Sequence, residues 1–296
     1  MKESVDMGQA EAASRLAQAL RSGHRVITAE CASAGARDAD AVRRLAATFL
    51  SSLDALVVSG NGGQGISAVV CSTLLAGQGR EPVLTVLTRD RNRIALLSDV
   101  LGAAALGVKN VLCLPGDHQS LGAQPEAAGA YDVDPMQLIQ LLSEIEGSGN
   151  GQLFIGAEAY PHLRPLELSI IDVRKKVKAG ARFLLTRPVF EMASFEEWMS
   201  AVRREGLHER VDLIASVQPL TGTEQAEALR RRLNVPDEVM TRLRESEDAA
   251  AEGIAICAET AAALKSVDGV CGVHVAWGGS PDVAAAVIAG AGLTPA

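Results

Sequence analysis

The chain has 296 residues, a formal net charge of −8 and 48% hydrophobic residues, of which aromatics are scarce at 3% of the chain. That length suits one large α/β barrel, and the core must be filled by Ala, Val, Leu and Ile. The acidic balance argues against a non-specific nucleic-acid binder, which carries a basic face, and no apolar run approaches the roughly 20 residues of a membrane span.

In chain order, Ala10–Arg21 has apolar positions at helical spacing and stops at Ser22-Gly23, predicting an extra helix within residues 1–24 that covers the bottom of a barrel. Eight short apolar runs follow: Arg25–Cys31, Asp54–Ser59, Pro82–Leu87, Asn110–Leu114, Gln152–Ala157, Arg182–Arg187, Val211–Val217 and Val270–Trp277. Five of their seven spacings are close to 30 residues, the size of one βα unit. The spacing therefore predicts a single-domain (β/α)8 TIM barrel over 1–296. A doubly wound sheet competes less well, because no glycine-rich fingerprint follows the first strand. The two long intervals hold a loop at Gly116–Ala130, expected to be mobile over the site, and extra helices over 221–264, with Asp237 placed to start one of them.

The five cysteines are odd in number and lack a CxxC pair, which reads as reduced thiols in a cytoplasmic protein. The five histidines show no metal-binding spacing, so no metal is expected. The first 23 residues lack the apolar stretch of a secretory signal.

A barrel of this kind works at the C-terminal ends of its strands, which directs attention to Glu30, Ser59, Asn61, Thr88, Asp117, Tyr160, Arg187, Gln218 and Trp277. Glu30 ends an apolar strand, where desolvation favours a protonated carboxyl able to act as a general acid; an ion pair with a neighbouring cation is the alternative. Asp117 follows Pro115-Gly116 and can hold negative charge beside a bound ring, or be an ordinary turn residue. Thr88–Asn92 places Arg89 and Arg91 where a helix begins, a phosphate-binding arrangement, unless Asp90 or Asn92 merely caps that helix. Tyr160 and His162 can stack on or hydrogen-bond to a ring. Arg174 and Lys175 read as a solvated face, His118 as a loop residue and His274 as a core residue.

Pro82–Asp117, Lys175–Glu191 and Gly272–Val275 together resemble the methylenetetrahydrofolate reductase family, especially the short reductases of anaerobic one-carbon metabolism that lack a regulatory domain. The resemblance implies a flavin-dependent, ping-pong reduction of 5,10-methylenetetrahydrofolate to 5-methyltetrahydrofolate. FAD, or else FMN, would be the cofactor, and NAD(P)H the expected electron donor. It assigns the acid to Glu30 and the flavin- and pterin-facing carboxylate to Asp117. Flavin contacts fall on Ser59, Tyr131, Asp132, Tyr160, Asp172 and Lys176, to which the strand-end positions Asn61 and Thr88 and the helix-start Arg91 are added. Folate would meet Glu30, Asp117 and Arg187. Homo-oligomers or complexes with a partner subunit are common in the family. The sequence departs from the family pattern at Cys31-Ala32-Ser33, Val83 and Pro115, and Arg187 stands where the family has a folate-contacting Gln. A flavin-poor folate-binding methyltransferase or accessory subunit on the same barrel is the alternative.

Overall fold

A computed structural model describes residues 14–33, 36–60, 64–147, 152–276 and 280–293. Eight parallel strands close into a barrel in sequential order. They are β1 (Val26–Ala32), β2 (Ala55–Ser59), β3 (Pro82–Leu87), β4 (Asn110–Leu114), β5 (Phe154–Ala159), β6 (Phe183–Thr186), β7 (Asp212–Val217) and β8 (Val270–Val275). The helices are α1 (Arg15–Arg21), α2 (Ala39–Thr48), α3 (Ala68–Ala76), α4 (Arg93–Ala105), α5 (Pro135–Gly147), α6 (Leu166–Ala179), α7 (Met192–Arg204), α8 (Thr223–Leu233), α9 (Asp237–Glu245), α10 (Ala249–Leu264) and α11 (Pro281–Gly290). This is the predicted (β/α)8 architecture with an extra helix in front.

Side chains alternate along each strand, and the two faces have different partners. Ile27, Ala29, Cys31, Leu56, Val58, Leu84, Val86, Ile155 and Ala157 pack with the surrounding helices in one large cluster. Val26, Ala55, Val57, Val83, Leu112, Phe154, Phe183, Leu185 and Ile214 instead form an inner cluster with Leu16, Ala17 and Leu20 of α1. The same parity carries Glu30, Ser59, Glu158 and Arg187 into the barrel at its upper end.

At the bottom, the Phe154 and Phe183 rings stack with centroids 4.9 Å apart. They fill space that Gly156 leaves open, since a Cβ there would lie 2.2 Å from the Phe183 ring. Helix α1 closes this end. Its N-cap Ser14 takes a hydrogen bond from the Ala17 amide and donates to Asn110, while Arg15 pairs with Glu81 at 3.0 Å. The Ser14 cap starts the helix at Arg15, later than the expected Ala10; residues 10–13 lie outside the described residues.

Several strand ends shift by one or two residues from expectation. The fifth strand runs to Ala159 because its ladder with β6 continues through Glu158↔Leu185 and Ala159↔Thr186. Helices α8 to α10 fill the long β7–β8 connection around their own small core of Leu220, Ala226, Leu233, Val239, Met240, Leu243 and Ile256. All five cysteines are free thiols. Among the described residues no helix is long and apolar enough to cross a membrane, and no group of three or more His, Cys, Asp or Glu could hold a metal ion.

Candidate active site

The upper layer of the barrel exchanges apolar side chains for charged and polar ones. Glu30 sits half-buried near the end of β1, in register with Val57, and Ser59 ends the neighbouring β2. Beyond β4, Gly116 turns the chain with φ +77°, a left-handed conformation that favours glycine. Asp117 is thereby brought over the barrel.

Asp117 is held from several sides. Its carboxylate accepts a hydrogen bond from Arg232 near the end of α8, and Arg187 stands 4.0 Å from its other oxygen. Its backbone carbonyl accepts from Arg89. Arg187 also pairs through Nε with Glu158 at 2.9 Å. Two cations lie over the Tyr160 ring, the Arg187 guanidinium 5.8 Å and the Lys176 Nζ 4.7 Å from its centroid. Burial, reinforced by Glu158, pushes the Tyr160 hydroxyl well above its ordinary range, so it remains a protonated donor. Lys176 is almost fully buried and donates to Asp172 at 2.6 Å and to the Glu158 carbonyl at 2.7 Å. Asp117, Tyr160, Asp172, Lys176 and Arg187 are thus gathered into one cluster.

A second cluster surrounds the start of α4. Asn92 caps that helix by accepting from the Ala95 amide at 3.0 Å. Asp132 accepts from the Arg93 amide at 2.8 Å and from its guanidinium, and this pairing lowers the Asp132 carboxyl. Arg91 is paired with Asp99 and Arg89 with Asp90, so the capping alternative holds for Asn92 and the cations already have partners. Tyr131 adopts a positive φ of 44° and donates to Gln119 at 2.9 Å. Arg89 joins the two clusters, since its carbonyl accepts from the Ala130 amide at 2.7 Å. Thr88 is buried at the end of β3.

A cavity of about 410 Å³ opens beside β3, below the loop after β4. Ser67, Thr85, Arg89, Arg91 and Gln119 are among its lining residues. The Gln119 amide nitrogen is buried and has no hydrogen-bond partner. The loop over 116–130 is irregular apart from a 3₁₀ turn at Gln119–Leu121.

Among the other candidates, His162 donates a hydrogen bond through Nε2 to the Pro188 carbonyl at 3.0 Å, and burial lowers its pKa. His274 is a buried core residue bonded to Thr28 at 3.0 Å. His118 caps the 3₁₀ turn. Arg174 pairs with Glu205 at 2.9 Å and Lys175 is exposed. Gln218 follows β7, half-buried. Asn61 and Trp277 lie outside the described residues.

Three contributors were not expected: Glu158, Gln119 and Arg232. Glu158 had a usable signal, as a lone acid at an inward position of an apolar strand. Arg232 had none, because its contact crosses 115 positions of sequence.

A family model described as methylenetetrahydrofolate reductase matches residues 16–277. A Caenorhabditis elegans protein named "Probable methylenetetrahydrofolate reductase (NADPH)" is 22% identical over 183 residues, covering 60% of this chain and 26% of that protein. Methylenetetrahydrofolate reductase 2 of Saccharomyces cerevisiae is 27% identical over 176 residues, 55% of this chain and 28% of that one. The 5,10-methylenetetrahydrofolate reductase of Pectobacterium carotovorum is 23% identical over 133 residues, covering 44% of this chain and 40% of its own length. The match therefore spans between a quarter and two fifths of these relatives.

Proposed function

The chain belongs to the methylenetetrahydrofolate reductase family, and we propose that its barrel mouth carries out the flavin-dependent reduction of 5,10-methylenetetrahydrofolate to 5-methyltetrahydrofolate. The observation that carries this reading is the convergence of Asp117, Tyr160, Arg187 and Lys176 above the strand ends, with Glu30 half-buried near the end of β1.

The residues present suit a flavin nucleotide. The cavity of about 410 Å³ beside β3 falls within the ordinary size of ligand pockets, and it is lined by Ser67, Thr85, Arg89, Arg91 and Gln119, next to the barrel-mouth cluster and not by it. The buried Gln119 amide lacks an acceptor, and a flavin ring offers carbonyl acceptors. Ser59, Thr88, Arg91, Tyr131, Tyr160 and Lys176 would hold the group, with Asp132 ordering Arg93 and Asp172 ordering Lys176; Asn61 belongs to the same proposal. FAD or FMN held there would supply hydride chemistry, with NAD(P)H or another donor as the electron source of a ping-pong scheme.

The protein's own part is proton transfer and orientation. Glu30 gives a proton to the nitrogen released when the folate's five-membered ring opens, which leaves the methylene carbon electrophilic. Asp117 accepts hydrogen bonds from the folate's ring system and sets negative charge beside the reacting groups. Tyr160, kept protonated by burial, donates rather than accepts. Arg187, where the family has Gln, supplies fixed positive charge and no acceptor, held in place by Glu158.

The decisive experiment is the visible spectrum of the purified protein before and after anaerobic addition of 5-methyltetrahydrofolate. A flavin spectrum that bleaches supports both the cofactor and the reverse half-reaction. A colourless protein that takes up neither FAD nor FMN would overturn the reading in favour of a flavin-free folate-binding methyltransferase or accessory subunit.

A further inference from the structure

We propose that Arg232 is a specificity-determining strap that the substrate must exchange, and that it selects ring ligands carrying their own carboxylate. The inference rests on the folate reading above and gives one residue from the β7–β8 connection a part in choosing tailed over tail-less rings.

The barrel is closed in sequential order, so β4 stands opposite β8. Arg232 comes from the connection between β7 and β8, yet its guanidinium binds the carboxylate of Asp117, just beyond β4. Helix α8 is therefore tied across the mouth. Both Asp117 oxygens face cations, Oδ2 meeting Arg232 and Oδ1 standing 4.0 Å from Arg187. A ligand ring that donates to both Asp117 oxygens competes with both cations, and directly with the Arg232 hydrogen bond on Oδ2.

The two arginines are not equally free to leave. Arg187 is anchored to Glu158 at 2.9 Å, lies against Tyr160 and has a side chain only 28% exposed. The Arg232 side chain is 52% exposed, and long exposed side chains change rotamer readily. Arg232 is thus the group that yields. Once displaced, it keeps its charge and gains most from a new anion within its reach. A ligand with a carboxylate tail supplies that anion; a tail-less ring leaves Arg232 competing for Asp117.

The test compares the wild type with Arg232→Gln, measuring dissociation constants for 5-methyltetrahydrofolate and for a 5-methyltetrahydropterin that lacks the glutamate tail. The wild type should prefer the tailed ligand by about tenfold or more, the scale of one charge-assisted hydrogen bond. Arg232→Gln should bring the ratio close to one, because the tail-less ring binds more tightly and the tailed ligand more weakly. Arg232→Lys should recover part of the preference. A ratio unchanged in Arg232→Gln, with both ligands still bound, overturns the strap and leaves the folate reading standing. A wild type that binds neither ligand overturns the folate reading, and the strap with it.

Discussion

The two ends of the barrel interior are made by the same alternation of the same strands, and they do opposite work. Below, the inward positions are Val26, Ala55, Val57, Val83, Leu112, Phe154 and Phe183, sealed by Leu16, Ala17 and Leu20 of α1. Above, they become Glu30, Ser59, Glu158 and Arg187, with Asp117, Tyr160, Lys176 and Arg232 gathered around them. The lower end gains stability from burial, which is non-directional and scales with area. The upper end holds charges at fixed distances in a partly desolvated space, where they contribute little net stability but strong directional chemistry. Stability and activity should therefore separate along the barrel axis.

Glu30→Gln tests the upper end most severely. Folate reduction should fall by about 100- to 10,000-fold, the usual contribution of a positioned general acid, while reduction of bound flavin by its donor stays near wild type in stopped-flow absorbance. A parallel loss of both half-reactions would make Glu30 structural and blur the division.

Phe183→Ala is the counterpart below. Deleting a ring that is 1% exposed and stacked on Phe154 should cost about 3–5 kcal/mol in denaturant unfolding, with the KM for folate unchanged in the folded protein. A changed KM would mean that the two ends are mechanically coupled.

The middle layer sharpens the comparison through pH. Burial lowers His274 from the ordinary 6.5 to about 3. Between those values the unfolded chain holds a proton that the native state excludes, so the stability is complete above pH 6.5 and is lost as pH falls towards 3. At pH 4 the loss from this one group is about 3 kcal/mol. Unfolding free energies measured across that window should show a shallower acid limb in His274→Gln, by about one proton; an unchanged slope would show that His274 is protonated in the folded state.

The smallest expected effect returns to the mouth. Arg187→Gln removes a pair with Glu158 and should change unfolding stability by about 1 kcal/mol or less, as partly exposed pairs do. Folate affinity should stay the same or improve, read by equilibrium titration. Complete loss of binding would show instead that Arg187 itself recognises a charged group.

How much of this was legible in the sequence follows the same axis. The strands and their inward faces rest on short-range alternation, and runs such as Pro82–Leu87 and Asn110–Leu114 coincide with their strands. Glu30, Ser59 and Asp117 follow from the rule that function gathers at the C-terminal ends of barrel strands. Glu158 lies beyond the apolar run that ends at Ala157, and only the neighbouring strand's ladder carries the strand to Ala159. Arg232 sits in a run of three arginines on α8, where local sequence reads as a solvated face. Its contact with Asp117 exists only once the barrel has closed. The cations at Arg89 and Arg91 were visible, but their pairing with Asp90 and Asp99 is a matter of side-chain direction that spacing does not supply.

The helix that closes the bottom of the barrel also has a consequence for how the chain is made. Helix α1 is synthesised before Glu81 and Asn110, the residues that tie Arg15 and Ser14 down, and its seat is assembled from seven strands that come later in the chain as well as from β1. On the ribosome it is a stopper waiting for its bottle. The seam between β1 and β8 must wait longer still, until Val270–Val275 has emerged. Through nearly all of translation β1 therefore presents an unpaired edge, the kind of surface that invites wrong partners, and nascent chains stalled before β8 are where misassembly should concentrate.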